Sequence, residues 1–293
     1  MTAAGSSLYR PAGSLADGGW SVVLTPESAG WQFSGMRAAT LAAGGRIGFE
    51  TAGDEVVILP LAGAFDVTAD GQTYHLEGRE SVWAGPSDFV YVPPGCGVEV
   101  SSAGGGRFAV AAARAEARFP VRYVPATDVA VELRGAGACS REVRNFASAL
   151  WFEADRLIAV EVLTPGGNWG SYPPHKHYEV RDTETELEEI YHYIVTDGPA
   201  GPGLAYQHIY GTADRPIDLL TTVATGDTVL VPHGWHGPAM AAPGYDLYYL
   251  NVMAGPGERA WRAPDDPSHT WVRETWGDQG IDPRLPFGQG SAR

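Results

Sequence analysis

Six segments of the chain combine β-branched and aromatic residues in short runs that end near Gly or Pro, a composition typical of strands. Stretches with the 3.6-residue period of a long amphipathic helix are scarce, and the best helical candidates are short, around Ser148 and near Trp271. The pattern predicts an all-β protein. The six segments are EVVILPLAGAFDV (55–67), DFVYVPPG (88–95), RLIAVEVLTPGG (156–167), EEIYHYIV (188–195), DTVLVPHG (227–234) and YDLYYLNVMAG (245–255).

Part of this pattern occurs twice. The segment GPSDFVYVPPG (85–95) aligns with ATGDTVLVPHG (224–234), and upstream of each a Glu, Glu55 or Glu189, leads an apolar strand that ends in a glycine turn. A duplicated β domain explains both matches. The alignment matches Asp88 with Asp227, Pro93 with Pro232 and Gly95 with Gly234.

The repeat and the chain length indicate two domains. A chain of 293 residues is long enough for two domains of ordinary size. Short antiparallel strands joined by Gly and Pro turns favour jelly-roll barrels over a parallel α/β fold. We therefore expect one barrel in residues 1–125 and a second in residues 126–293, with the junction in the Pro-containing segment 119–137.

The net charge of -15 arises because 35 acidic residues outnumber 20 basic ones. Such a charge opposes binding to a nucleic acid or to an anionic membrane, so neither is an expected partner. An anionic small molecule would need a local positive centre. A divalent cation with one or two Arg or Lys side chains would provide that centre.

The cysteine count and the length of the apolar runs indicate the expected cellular compartment. Cys96 and Cys139 are too few for a disulfide framework and do not form a CxxC motif. The N-terminal residues lack the apolar segment of a secretory signal, and no run approaches the roughly 18 apolar residues of a membrane span. The expected location is the cytoplasm.

Histidines are concentrated in the second half of the chain. The first half contains His75 alone, so a histidine cluster would give the second half a chemistry that the first half lacks. The other seven are His175, His177, His192, His208, His233, His236 and His269.

The pair His175 and His177 follows two prolines in SYPPHKH (171–177). On a strand, residues i and i+2 point to the same face, so both imidazoles would enter a barrel while Lys176 points away. A carboxylate and a third histidine would complete a metal shell with positions left open for water or substrate. Glu189, near the start of EEIYHYIV, is the expected oxygen ligand.

Either His233 or His236 could provide the third nitrogen, because both lie in VPHGWHGP directly after a strand. We prefer His236, since His233 occupies the position of Pro94 in the repeat and is expected to serve a turn. Glu179 is a competing oxygen ligand, but the acidic loop that begins soon after His177 should carry it out of the barrel. We expect three further histidines to lie outside the site: His192, His208 and His269. Of these, His192 should face out of the barrel.

These motifs resemble those of the cupin superfamily, in which HxH and a Glu form a first motif and Gly, P-x-G and His form a second. Two spacings differ from the usual cupin pattern: eleven residues separate His177 from Glu189, and one residue separates Gly234 from His236. A more specific resemblance, to the 5-deoxy-glucuronate isomerase family, accommodates both differences. It is carried by TPGGNWGSYPPHKH (164–177), LEEIYHY (187–193), VLVPHGWHGP (229–238) and YDLYYLNVMAGP (245–256).

The resemblance implies a bicupin enzyme of myo-inositol catabolism that converts 5-deoxy-D-glucuronate into 5-dehydro-2-deoxy-D-gluconate by a metal-dependent aldose–ketose isomerisation. The partner would be an anionic sugar acid, and the divalent metal would be Zn or Mn, with Fe or Ni as alternatives; a homo-oligomer is left open. The first half would be a barrel without a metal site, with Val98 near the position of a ligand histidine. The implied metal ligands are His175, His177, Glu189 and His236.

Moving a carbonyl from C1 to C2 requires a base that takes the C2 proton and a cation that stabilises the enediolate. The base would be a metal-bound hydroxide, a pocket carboxylate or a tyrosinate, and Tyr191, Tyr193 and Tyr248 qualify if they face the cavity. Arg262 or Arg259 would bind the substrate carboxylate.

Two other functions are compatible with the same motifs. An Fe(II) cupin dioxygenase would use a similar shell of three His and one Glu. A non-catalytic bicupin would bind a sugar without turning it over. Oxygen uptake distinguishes the dioxygenase from an isomerase, and turnover of a uronate-like aldehyde distinguishes the binding protein.

Overall fold

The computed structural model describes residues 8–288, and strands dominate them. The strands that precede residue 125 are β1 (Tyr9–Arg10), β2 (Val22–Leu24), β3 (Ser34–Leu41), β4 (Gly45–Glu50), β5 (Asp54–Ala69), β6 (Gln72–Arg79), β7 (Phe89–Val92), β8 (Gly97–Ser102), β9 (Gly106–Arg114) and β10 (Arg122–Val124). The later strands are β11 (Ala130–Arg134), β12 (Arg141–Ala147), β13 (Ile158–Thr164), β14 (Trp169–Gly170), β15 (Glu188–Val195), β16 (Ala205–Tyr210), β17 (Asp218–Val223), β18 (Thr228–Val231), β19 (Ala239–Ala241) and β20 (Leu247–Ala254).

Helices are short in this part of the chain. The α-helix α1 (Pro26–Ala29) begins after the capping residue Thr25 and ends at Gly30 in the left-handed conformation. The helix predicted near Trp271 is a 3₁₀ helix, whereas the residues around Ser148 form turns. Within residues 8–288, no helix combines the length and apolar character needed to cross a membrane. The 3₁₀ helices span Val82–Ala84, Ala126–Asp128, Gly137–Cys139 and Thr270–Asp278.

Within residues 8–288 the strands form three sheets. A nine-stranded sheet has the order β10-β7-β5-β9-β3-β2, with β4, β6 and β8 joined through β5 and β8. A seven-stranded sheet has the order β1-β18-β15-β20-β13-β12-β11, and a four-stranded sheet has the order β14-β19-β16-β17. Strands β2 to β10 are thus separated from β11 to β20, while β1 crosses from the start of the chain to pair with β18. The domain boundary at residue 125 stays a prediction.

Three apolar cores hold the sheets together. One lies inside each half, and the third lies between the nine-stranded and seven-stranded sheets. In β20, Tyr248, Leu250 and Val252 belong to the core between the halves, whereas Tyr249 and Met253 face the interior of the second half. Because both faces of the central strands are buried, their sequences are continuous apolar runs with little polar alternation.

Two carboxylates join the halves reciprocally. Glu55 of β5 is fully buried and reaches the segment that leads into β13, while Glu188 of β15 reaches the segment that leads into β3. Each accepts three backbone hydrogen bonds from the other half. The donors to Glu55 are the N–H groups of Asp155 (2.9 Å), Arg156 (2.6 Å) and Leu157 (2.7 Å). The donors to Glu188 are those of Gln32 (2.8 Å), Phe33 (2.9 Å) and Ser34 (2.8 Å).

The strand register corrects one detail of the internal repeat. The sequence alignment equates Glu55 with Glu189, but Val56 pairs with Val92 of β7 while Glu189 pairs with Val231 of β18. Val92 and Val231 are equivalent in the aligned segments, so the counterpart of Glu189 is Val56. Since successive strand residues face opposite sides of a sheet, Glu55 points to the interface and Glu189 points into the second half.

Candidate metal centre

The interior of the second half opens into a cavity of about 220 Å³. His175, Glu189 and Tyr191 line its inner part, and arginines line its walls. Residues of the segment after β20, among them Trp261 and Asp265, complete the lining. The cavity lining therefore combines two of the predicted ligands, His175 and Glu189, with positive charge.

The backbone brings His175 and His236 together as a cross-strand pair. The N–H of each residue donates to the carbonyl of the other, at 2.8 Å in both directions. This pairing is an isolated bridge, so the HxH segment does not form the strand that we expected. Beside it, Gly237 has a φ of +113°, and a Cβ at this position would lie 2.8 Å from the His175 ring and 2.3 Å from the carbonyl of Ser171. Glycine at this turn thus lets the His175 ring approach the backbone.

The acidic loop between His177 and Glu189 is held by a buried carboxylate. Glu184 is 1% exposed, accepts from the backbone N–H of Tyr178 at 2.9 Å, and pairs with the Lys176 ammonium. The N–H of Leu187 then donates to the carbonyl of His177 at 2.9 Å. These contacts explain how eleven intervening residues still return Glu189 to the side of His177.

Four side chains converge at the inner end of the cavity. The Oε2 atom of Glu189 lies 2.9 Å from Nε2 of His177 and 2.9 Å from Nε2 of His236, and the two Nε2 atoms are 3.0 Å apart. The ligand nitrogens of His175, His177 and His236 all lie within 4.8 Å of one another. All four residues are buried.

The outer ring nitrogens indicate which tautomer each histidine adopts. Nδ1 of His177 lies 3.2 Å from the carbonyl of Leu187, and Nδ1 of His236 lies 2.9 Å from that of Gly234. A carbonyl accepts only, so each Nδ1 is the protonated nitrogen and each Nε2 presents a lone pair. Lone pairs and a carboxylate directed at one point repel one another unless a cation lies among them. The donor set therefore fits a divalent metal ion.

The electrostatics of the cluster follow from burial and from the single carboxylate. Burial lowers the pKa of His175 well below its ordinary value, and the neighbouring rings of His236 and His177 lower it further. Burial opposes the charged form of His177 too, but the adjacent Glu189 carboxylate, to which the protonated ring can donate, raises the pKa of that ring overall. Burial would raise the pKa of Glu189, and the close approach of the His177 and His236 rings reverses the effect and holds that pKa well below the ordinary range. Glu189 is thus a carboxylate anion.

The three predicted catalytic tyrosines occupy different places. Tyr191 lines the cavity, whereas Tyr193 lies deeper and donates to Gln207 at 2.8 Å. Tyr248 lies on the opposite face of β20 and donates to Glu161 at 2.8 Å, so its assignment as a catalytic candidate is corrected. Burial raises the pKa of all three phenols well above the ordinary value, with the charge of a neighbouring carboxylate or tyrosine acting in the same direction. Tyrosinate is therefore disfavoured.

The arginines predicted to bind a substrate carboxylate lie away from the cavity. Arg262 has a side chain that is 40% exposed and pairs with Glu258 at 2.9 Å, so its assignment is corrected. Arg259 uses its guanidinium to brace the turn before β13 and the end of β12. Its acceptors are the carbonyls of Leu157, Phe152 and Ala147.

Three other arginines line the cavity: Arg134, Arg141 and Arg273. Sequence reasoning missed all three. Arg141 opens β12, whose sequence REVRNFA is fully buried although it contains three charged residues. No local pattern distinguishes a buried arginine in such a strand from a solvated one, so only the tertiary structure reveals it.

The remaining histidines lie outside the cluster. His192 points away from Glu189 as expected but is buried between the halves, 3.0 Å from the Thr228 hydroxyl, instead of facing out. The ring of His233 lies against Tyr178, with ring centroids 5.9 Å apart. His208 stacks against a tyrosine of β16 and His269 precedes the C-terminal 3₁₀ helix. Glu179, the competing oxygen ligand, binds Lys176 instead.

Comparison with known proteins identifies relatives over nearly the whole chain. The KduI/IolB family matches residues 8–272. A 5-deoxy-glucuronate isomerase of Geobacillus kaustophilus (strain HTA426) is 40% identical over 273 residues, which cover 92% of this chain and 96% of that protein. A 5-deoxy-glucuronate isomerase of Bacillus subtilis (strain 168) is 36% identical over 242 residues, covering 82% and 87%.

Solved structures show the same fold. The crystal structure of an IolB-like protein from Salmonella typhimurium LT2 is 32% identical, with a TM-score of 0.83, and covers 90% of this chain and 98% of that one. An oxalate decarboxylase of Lactobacillus farciminis shares the fold at 11% identity, with a TM-score of 0.63 and 88% of each chain covered. The predicted all-β bicupin fold is confirmed. The chain belongs to the KduI/IolB family.

Proposed function

We propose that this chain is a metal-dependent aldose–ketose isomerase that converts 5-deoxy-D-glucuronate into 5-dehydro-2-deoxy-D-gluconate. The relatives at 36% to 40% identity bear the name 5-deoxy-glucuronate isomerase, which supports this substrate. The proposal includes a role in myo-inositol catabolism and a cytoplasmic location. It also includes the division into residues 1–125, with a structural role, and residues 126–293, with the active site.

One observation carries the proposal: three imidazole nitrogens and one carboxylate oxygen converge at the inner end of a cavity that holds arginines. We assign the metal ligands as His175, His177, Glu189 and His236. Imidazole-rich shells with one carboxylate accept several divalent metals, of which Zn or Mn is our first expectation and Fe or Ni the alternative.

When bound, the metal ion would act as a Lewis acid toward the substrate oxygens and stabilise the negative charge of an enediolate. The chain's own residues then have to bind the sugar acid and move a proton from C2 to C1. Since burial keeps Tyr191 and Tyr193 as phenols, a carboxylate is the candidate base that remains among the chain's own side chains. Asp265 is the cavity carboxylate that remains once Glu189 serves as a ligand, among the described residues. Tyr191 would keep its proton and serve as a hydrogen-bond donor in the cavity through its Oη.

The proposal is tested with the metal-loaded protein and 5-deoxy-D-glucuronate, followed by NMR. Replacing His175 by Ala should remove the stoichiometric metal and lower kcat/KM at least about 1000-fold, because the ligand set is incomplete. The matched control is His208→Ala, which changes a histidine outside the cavity and should keep both the bound metal and the wild-type kcat/KM.

Two results would decide against an isomerase. Oxygen consumption with substrate would indicate a dioxygenase. Binding of the sugar acid without any turnover by the metal-loaded wild type would indicate a sugar-binding protein. A His175→Ala variant that keeps full activity without metal would remove the metal from the scheme.

A further inference from the structure

Among the described residues, Arg141 has no carboxylate partner, unlike the other two arginines of the cavity. Arg134 pairs with Glu132, and Arg273 pairs with Asp265. Arg141 is 8% exposed and donates from Nη1 to two backbone carbonyls, those of Cys139 at 3.1 Å and Tyr172 at 3.3 Å. Within residues 8–288 it forms no ion pair, although its side chain lines the cavity.

A buried cation without a counter-ion is unfavourable unless a ligand supplies the charge. Burial lowers the pKa of Arg141 to about 10, so the side chain is still charged at neutral pH. A guanidinium has five N–H donors in a fixed plane, and the two carbonyls occupy only Nη1. The edge formed by Nε and Nη2 matches the two oxygens of a carboxylate.

The backbone that holds Arg141 also carries the proposed ligands. Its acceptor Tyr172 precedes His175 by three residues in the same segment, and Ser171 of that segment lines the cavity as well. The guanidinium therefore lies beside the segment that carries His175. A ligand with a carbonyl at one end and a carboxylate at the other could contact the histidine cluster with its carbonyl and the guanidinium with its carboxylate.

We propose that Arg141 is the specificity residue that binds the carboxylate of the sugar acid and makes the cavity prefer a uronate over the neutral sugar. This inference rests on the proposed function of the same cavity. The protein has a net charge of -15, so an anionic substrate requires a local cation to bind. Arg141 would provide that cation.

The test compares two substrates in the metal-loaded enzyme: 5-deoxy-D-glucuronate and 5-deoxy-D-glucose, in which CH₂OH replaces the carboxylate. Arg141→Met should lower kcat/KM for the uronate about 100-fold, because a charge-assisted hydrogen-bonded pair is lost, and should change that for the neutral sugar less than about 3-fold. Arg141→Lys, which keeps the charge without the planar fork, should lower the uronate value about 10-fold.

The matched control is Arg107→Met. Arg107 is a partly buried arginine of β9 whose charge acts on His192 between the halves, away from the cavity. This variant should keep the wild-type preference for the uronate. An Arg141→Met variant with the same preference as wild type would overturn the proposal. Should Arg141→Met fail to fold, an unchanged preference in Arg141→Lys would overturn it equally.

Calorimetric binding of D-glucuronate separates this inference from the proposed function. The measurement needs no turnover, and Arg141→Met should bind D-glucuronate at least about 10-fold more weakly than wild type or Arg107→Met. If wild type binds the acid through Arg141 but does not isomerise 5-deoxy-D-glucuronate, the isomerase proposal fails and the anion site stands. Equal binding by wild type and Arg141→Met rejects the anion site whatever the activity.

Discussion

The two halves of the molecule share one strand plan but differ in the side chains that their central strands direct inward. Strand β5 pairs with β7 and β9, and β15 pairs with β18 and β20 in the same arrangement. The faces toward the interface are alike, since each begins with a glutamate, Glu55 or Glu188. The inward faces differ, because Val56 stands where the second half has Glu189. A single inward position can thus change chemistry while the interface is preserved.

The entrance to each half shows the same contrast. His175 pairs with His236 across the backbone in the second half. In the first half the residue aligned with His236 is Gly97, which pairs with Glu50, so this pair offers no imidazole. The next pair of the same ladder is Phe49 with Val98, and Phe49 packs against Trp20 with ring centroids 5.5 Å apart at 84°.

The strongest way to break the contrast is to place the first-half residue in the second half. Glu189→Val should abolish stoichiometric metal binding and lower isomerase activity at least about 1000-fold, since the shell loses its one anionic ligand. The variant should still fold, because the equivalent strand carries Val56 in the first half. Metal analysis of the purified protein and the NMR assay measure both effects.

The control for this change is Glu186→Val, which removes an exposed carboxylate three residues earlier. It should retain the metal and the activity. Retention of stoichiometric metal by Glu189→Val would show that the carboxylate is dispensable, and the assigned ligand set would then be wrong.

The fold was predictable from the sequence where strands are buried on both faces. All six predicted strand segments contain a strand, and the segment 188–195 coincides with β15 (Glu188–Val195). Continuous apolar runs bounded by Gly or Pro specify such strands well. Strands β3 and β9 were missed because small alanine and glycine residues give no strong pattern, and β12 was missed because charged residues interrupt it. Their burial depends on the partner sheet, which the local sequence does not encode.

The histidines and Glu189 could be proposed from spacing, because metal ligands must alternate toward one face and lie at strand ends. The face of β20 on which Tyr248 lies could not be predicted from the sequence. The segment YDLYYLNV has apolar residues on both sides of the strand, and the strand register decides which side each residue faces. The role of Arg141 could not be predicted either, because it depends on the absence of an ion-pair partner within the described part of the chain. The alignment of Glu55 with Glu189 was wrong by one residue, and a shift of one residue in a strand moves the side chain to the opposite face of the sheet.

A second comparison concerns the two glutamates that the halves exchange. Glu55→Gln should lower the free energy of unfolding by about 3 kcal/mol, because a buried carboxylate that accepts three N–H groups and the Tyr91 hydroxyl is replaced by an amide that presents a donor to them. Glu188→Gln should cost about 1.5 kcal/mol, since Glu188 is only partly buried. Chemical denaturation measures both.

Glu99→Gln, at an exposed position of β8, is the control for the loss of a negative charge and should stay within about 0.5 kcal/mol of wild type. If both glutamate variants matched this control, the reciprocal bonds would contribute nothing to the association of the halves. Isomerase activity of the Glu188→Gln variant reports separately whether the start of β15 must be held for Glu189 to reach the metal.

The smallest expected effect concerns His192, which faces the first half from the strand that carries Glu189. Burial, together with the charge of Arg107, lowers the pKa of His192 to about 3, and its polar neighbour on β18 is the Thr228 hydroxyl. An unfolded histidine titrates near 6.5, so below that pH the unfolded chain takes up a proton that the folded chain refuses until about pH 3. This contribution to stability is fully present above pH 6.5 and is lost as the pH falls. Between pH 6.5 and 5.5 wild type should lose about 1 kcal/mol more than His192→Gln, measured by urea denaturation of the metal-free proteins at each pH. Equal losses in the two proteins would mean that the interface accepts a charged His192, contrary to its burial beside Arg107.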